Sequence, residues 1–589
     1  VIFDLINTIL GAAVIGSCFA LTFIVPERAG VIVVSKRLRI TIRVLVLGWV
    51  LSSIGELLAT LANLFDTPIS DVLELNFIRS YVTQTTLGRL QYLELIAGLV
   101  LLLAIGSIRR VGGAALALAI SLAGVVAPLF QSHTSQAGSH GLAIGSLIIH
   151  LVALSFWFGA VAGLIFLTKS EQELALPRVA TVATWSVATV IVTGAVSSLL
   201  SLGFSTDWLT SYGALIITKL VLLGAILAIA RQIRSGSARS KLVRIEVLLL
   251  VIVMGIGALL SRFTPIVESD LPYDRVRDLV GVSMPAEPNL TRLFFEYEAD
   301  GLVLGALVFA TALYIRGVVA LARRGDKWPV GRTISFAVGI SLLDYATSGG
   351  LGLYSIFSFQ YHMMAHMVIS MIAPIAIVLG APITLALRTL PIGRDNDERG
   401  LRGWLLAIIH SKYSSVITHP IAALAIFDGS LFALYFTPLF GDLMASHFGH
   451  LLMNFHFIAA GLLFFYVIIG VDPNPRRIHH LVRMVLLLAA MSIHAFFSIA
   501  LMATGELIDG GYYAALDRPW AIDLLADQKT GAAIGWAMGE IPIVLALVAT
   551  FIQWMRADRR EAKRADRDNR ELAEYNEYLK KLARKNQGS

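Results

Sequence analysis

A single cysteine, Cys18, in 589 residues excludes an intrachain disulfide and any metal site built from several thiolates. The chain also lacks a GxxxxGK(S/T) phosphate loop, which removes an ATP-driven pump, and it lacks CxxC and HExxH. No Ser/His/Asp set is readable, so no enzyme activity is expected. Charge is scarce as well: Asp, Glu, Lys and Arg make up 15% of the chain, against about 25% in soluble globular proteins. Hydrophobic residues fill the space, at 57% with a mean hydropathy of +0.76. This composition reads as an all-α polytopic membrane protein. The net charge of +7 and pI near 9.4 do not argue for nucleic acid, because in such a protein basic residues gather in cytoplasmic loops.

The apolar runs give about fifteen spans, each near the ~20 residues that a bilayer needs. They lie near 5–25, 42–64, 88–107, 112–130, 142–167, 178–203, 211–230, 244–262, 297–321, 332–348, 357–379, 417–437, 447–470, 480–503 and 531–555. The chain opens on Val1, and its first run shows no small-residue cleavage site that would make it a removed signal. Connections rich in Lys and Arg alternate with poor ones, and by these boundaries about 38 of the 47 basic residues fall in one set. The positive-inside rule then places the N-terminus outside and the C-terminus in the cytoplasm. A Pro-bearing external segment, 263–296, separates eight spans (1–262) from seven (297–555). The tail 556–589 alternates charges and carries one weakly apolar stripe, Tyr575, Tyr578, Leu579 and Leu582, as a solvated helix does.

Chemistry concentrates on histidine and methionine. His362 and His366 share a helix face one turn apart, with Met363 and Met367 beside them. Imidazole and thioether suit copper, Cu(I) in particular; the bland alternative is gap-filling Met and His bonded to a neighbouring helix. By the topology, His410, His419, His479 and His480 are interfacial residues on the cytoplasmic side, and the other nine histidines lie outside or in the outer half of the membrane. At ~1.5 Å per residue, His366, His456 and His494 reach one layer ~13 Å deep, level with His150. His362, His447 and His450 form a layer above, and His447, His450 and Met453 step by three. His133 and His140 fall in the short external turn above His150. The expectation is that His362, His366, His450, Met453 and His494 face one outward-open cavity. Asp527 and Glu506 read as carboxylates of the last external loop, near its mouth. Lys219 is buried in a span and needs a partner or a water path.

Several motifs carry a resemblance. The second half, roughly 300–560, resembles the CtaG family of cytochrome c oxidase assembly factors through Tyr361–His366, Ala373-Pro374 to Pro382, His450–Asn454, Gly470–Pro475, Ser492–His494, Asp527–Gly531 with Trp536, and Gly539–Pro542. The first half, mainly 90–262, is similar to the CopD copper-resistance family through Ser132-His133, His140, His150–Gly159, Tyr212-Gly213 and Lys219. The fusion looks like a form found in actinobacteria. The resemblance implies a multi-pass protein of the bacterial plasma membrane that handles copper. It would bind copper at its outer side, pass it across the membrane or deliver it to assembling oxidase subunits, and receive it from a periplasmic copper chaperone. Two alternatives stay open at this point: a haem b protein moving electrons across the membrane, with paired intramembrane His as axial ligands, and a metal-free scaffold for oxidase assembly.

Overall fold

The computed structural model describes residues 2–587 except 29, 33, 132–138, 205, 236–238, 262–273, 394–399, 477 and 521–522. Among the described residues helices dominate, and the one sheet is a small hairpin pairing Glu27–Arg28 with Val31–Ile32. Helix starts follow side-chain capping. Ser35 accepts from the Leu38 amide, Thr168 and Glu171 form a capping box, and Asp300 accepts from Leu302 and Val303.

The protein is an all-α polytopic membrane protein. Thirteen helices among the described residues are long and apolar enough to cross a bilayer, eight before residue 262 and five after 300. The tenth and twelfth expected spans are helical but fall outside that set. Val330–Thr347 carries Arg332 and Asp344, and Pro420–Tyr435, at ~1.5 Å per residue, reaches only about 24 Å. A bilayer core is about 30 Å thick. The last helix does not begin at 531; it runs unbroken from Leu524 to Gln587, carrying the charged tail as its exposed continuation.

Two large apolar clusters form, one from residues between Ala12 and Met254 and one from residues between Leu307 and Ile543. A smaller one joins the halves, with Phe130, Ile144 and Ile148 against Leu302, Phe448 and Leu451. Helices cross there at backbone distance: a Cβ on Gly145 would fall 2.3 Å from the Leu302 amide nitrogen. Only glycine permits that approach, the way small residues let membrane helices close on each other.

Two π turns interrupt helices of the second half, Val368–Ile372 directly after the Phe359–Met367 helix and Ala425–Gly429 within Pro420–Tyr435. Such turns concentrate at functional sites, and both lie beside the residues described next.

Candidate metal centre

The Phe359–Met367 helix is anchored at its first turn by a residue from the far end of the chain. Asp527 is not a solvated loop carboxylate. It is buried in the Leu524–Gln587 helix and accepts from Ser358 Oγ (2.8 Å), the Phe359 amide (2.9 Å) and the Gln360 amide (3.2 Å). A carboxylate there satisfies amides with no partner inside the helix and meets its positive end. Arg518 Nη1 stands 3.9 Å from the same carboxylate.

One turn deeper come His362 and His366, 0% and 1% exposed, their ring centroids 4.0 Å apart. One hydroxyl holds both. Tyr435 Oη lies 3.0 Å from His362 Nε2 and 2.9 Å from His366 Nδ1. The other two ring nitrogens, His362 Nδ1 and His366 Nε2, are buried with no hydrogen-bond partner. A neutral phenol has one proton for two rings, so one imidazole must donate to the hydroxyl oxygen while the other accepts. It follows that one of the two unpartnered nitrogens carries a lone pair and the other an N–H. Phe457 and Phe440 close over the pair at 4.6 and 5.1 Å between centroids.

His450 joins this group, its ring 6.2 Å from that of His362. It also lines a narrow cavity of ≈ 60 Å³ with His447, Asp300, Asn454 and, from the first half, His140. His447 Nε2 donates to Asp300 Oδ2 at 2.9 Å, and its Nδ1 is buried without a partner.

The expected single cavity is divided. His494 faces a different group: its Nε2 is 3.2 Å from the Gly535 carbonyl and its Nδ1 is 3.9 Å from Asp428 Oδ1. Met363 turns its methyl toward Gly535 too. Both Asp428 oxygens, His494 Nδ1 and Ser498 Oγ are buried without hydrogen-bond partners. No ring contact or hydrogen bond joins His494 to His366 among the described residues; the link runs through Tyr435 and Phe497, 5.7 Å apart, and Phe497 with His494, 6.2 Å. Met367 and Met453 are buried in the apolar cluster of this half. His456 is corrected: at 100° per residue it points about 120° away from His450, lies exposed, and touches Phe457 from outside.

The first-half histidines also separate. His133 lies outside the described residues. His150 Nδ1 bonds Thr193 Oγ1 at 3.0 Å, and Lys219 sits against Gly257 within electrostatic reach of His150. His140 turns instead toward the second half, its ring 5.2 Å from that of His447. Among the described residues, no three His, Cys, Asp or Glu side chains converge as a ready-made metal cage.

Sequence reading missed Tyr435, Asp428 and Asp300. Asp428 was findable as the one charge in an apolar run, and Asp300 as a cap before a span. Tyr435 gave no signal, since an aromatic residue in a span is ordinary.

Residues 312–557 match the profile of the cytochrome c oxidase caa3 assembly factor family (Caa3_CtaG). Residues 5–142 match that of the copper resistance protein D-like N-terminal domain. The latter match overlaps the 90–262 resemblance only over its first part. Among curated proteins, uncharacterized protein Mb0105 of Mycobacterium bovis and MT0111 of Mycobacterium tuberculosis are each 39% identical over 311 residues, covering 52% of this chain and 47% of their own length. Uncharacterized protein ML1998 of Mycobacterium leprae is 38% identical over the same share. The chain thus spans about half the length of the curated relatives it matches. No solved structure matches it. The chain thus carries, in order, a stretch similar to the copper resistance protein D-like N-terminal domain and one similar to the caa3-type cytochrome c oxidase assembly factor family.

Proposed function

We propose that this protein binds Cu(I) at His362 and His366 and delivers it for the copper centres of an assembling cytochrome c oxidase in a bacterial plasma membrane. The N-terminus faces out, the two histidines lie toward the outer side, and a periplasmic copper chaperone is the donor. The observation that carries this reading is the pair of rings tied back to one hydroxyl, with their other nitrogens buried and unpartnered. Buried polar atoms are almost always satisfied, so orphaned ones point to an absent ligand. The donor set narrows its identity. Zn²⁺ takes four ligands in a closed site, whereas this pocket offers two imidazoles, a phenol and aromatic walls. A soft ion content with few ligands fits better. Haem fits poorly, since the rings lie side by side on one helix while axial ligands approach the iron from opposite faces.

The test is metal content and a visible spectrum on gently purified protein. Copper without a haem band, lost in His362→Ala/His366→Ala, supports the reading. A haem spectrum overturns it, and metal-free protein returns the chain to a scaffold role.

A further inference from the structure

We propose that the two halves jointly build a loading site for a soft monovalent cation in the cleft between the His140–Gly163 and His447–Ile469 helices, with His140 from one half and His447 from the other, and His450 as the next ring inward. This rests on the copper reading above and adds the route by which the ion reaches the inner pair. Three observations meet at this cleft. The halves are locked together beside it: Ser139 Oγ donates to Glu298 Oε1 at 2.6 Å, and Gly145 closes on the backbone of Gly301 and Leu302. That contact fixes His140 against His447, so the juxtaposition belongs to the fold rather than to a chance rotamer.

The second observation is chemical. The Asp300 carboxylate accepts from His447 Nε2 and so assigns the proton to that nitrogen, which leaves the lone pair on Nδ1. That Nδ1 is buried and has no partner. A carboxylate behind an imidazole is how proteins orient a metal-binding histidine.

The third is continuity. One cavity is lined by His140, Asp300, His447, His450 and Asn454. From His447 to Asn454 is about 10 Å along the helix. His450, at its wall, is 6.2 Å from His362, and His362 is 4.0 Å from His366. An ion held by imidazoles at the cleft can therefore pass from ring to ring without crossing an apolar stretch. The segment around Gly281 covers His140 from the other side; a Cβ at Gly281 would fall 2.5 Å from the ring.

The experiment follows transfer of Cu(I) from its bicinchoninate complex to the full-length protein, without oxygen, by loss of the complex's visible absorbance. His140→Ala and His447→Ala should each slow loading by about tenfold or more, as losses around metal sites do. His140→Met, which restores a soft donor, should recover most of the rate, and the exposed His456→Ala should load like the parent. Parental loading by His140→Ala, together with lost binding in His362→Ala/His366→Ala, overturns the shared site and leaves the copper reading standing. Slow loading that His140→Met fails to rescue also overturns it, because packing and not ligation would then explain the loss. Unchanged binding in His362→Ala/His366→Ala removes the copper reading itself.

Discussion

In the first half Asn7 stands where Tyr435 stands in the second, at the centre of a buried polar group among membrane helices. Its Nδ2 donates to Glu56 Oε2 (2.7 Å) and Glu94 Oε1 (2.8 Å), and its Oδ1 accepts from Ser52 and Ser53. Trp49 Nε1 adds a bond to Glu94 at 2.9 Å. Every one of these atoms is partnered by another in the group. Around Tyr435 the bonds are as short, yet a nitrogen on each histidine is left over, and Asp428 close by has neither oxygen paired. Both groups bear the desolvation cost of polarity inside a bilayer. The saturated one returns it as helix association; the open one keeps valence for a ligand. Hydrogen-bond saturation therefore separates the two roles better than burial or residue type does.

The largest effect is expected of His362→Ala/His366→Ala. Loss of outer partners alone costs about 10–100-fold in metal affinity, so removing both rings should lower Cu(I) affinity by more than about 100-fold, with a lower thermal midpoint from the cavity and the stranded Tyr435 hydroxyl. A large midpoint drop with unchanged affinity would put these histidines in the same class as Asn7. Asn7→Leu should act on stability alone. Taking a donor from Glu56 and Glu94, while Trp49 still holds Glu94 and its carbonyl still accepts from Ser52 and Ser53, costs about 1–3 kcal/mol, read as a midpoint lowered by several degrees in thermal unfolding, with Cu(I) affinity of the second half intact.

Tyr435→Phe removes the bridge and keeps the rings. Binding copper through both outward nitrogens requires both rings to donate to the Tyr435 oxygen, which leaves the hydroxyl proton with no acceptor there and favours its release to solvent as the ion binds. Affinity should accordingly rise about tenfold per pH unit in competition titrations, since ligand deprotonation couples metal binding to pH. The phenylalanine variant should bind about tenfold more weakly near neutral pH and lose that slope. The smallest effect belongs to His456→Ala, which should shift stability by less than about 0.5 kcal/mol and leave copper titrations unchanged.

Much of the helical plan was legible because apolar runs of span length leave a bilayer protein few alternatives. The shared face of His362 and His366 was legible because helix geometry fixes it within one element. What stayed hidden depends on partners distant in the chain. Asp527 looked like a loop acid because the helix start it caps lies 168 residues earlier. His140 looked like a neighbour of His150, but ten residues of helix put about 15 Å between them, and the close Gly145 contact with Gly301 and Leu302 holds His140 beside His447. His456 matched His366 in depth, yet depth alone says nothing of which way a side chain points.

The π turn at Val368–Ile372 gives this helix one residue more than an α-helix would use over the same length. In genetic terms it is an insertion held in register. Removing one of those five residues would let the segment relax to α geometry with both ends still facing as they do now. Pro374 and Ile377, whose side chains meet the backbone near Gly461 and Gly339, and His362 and His366 would all keep their seats. A further one-codon insertion has no such slack to use: it would turn the two ends by about 100° relative to each other and part the histidine pair from Tyr435 without altering either histidine.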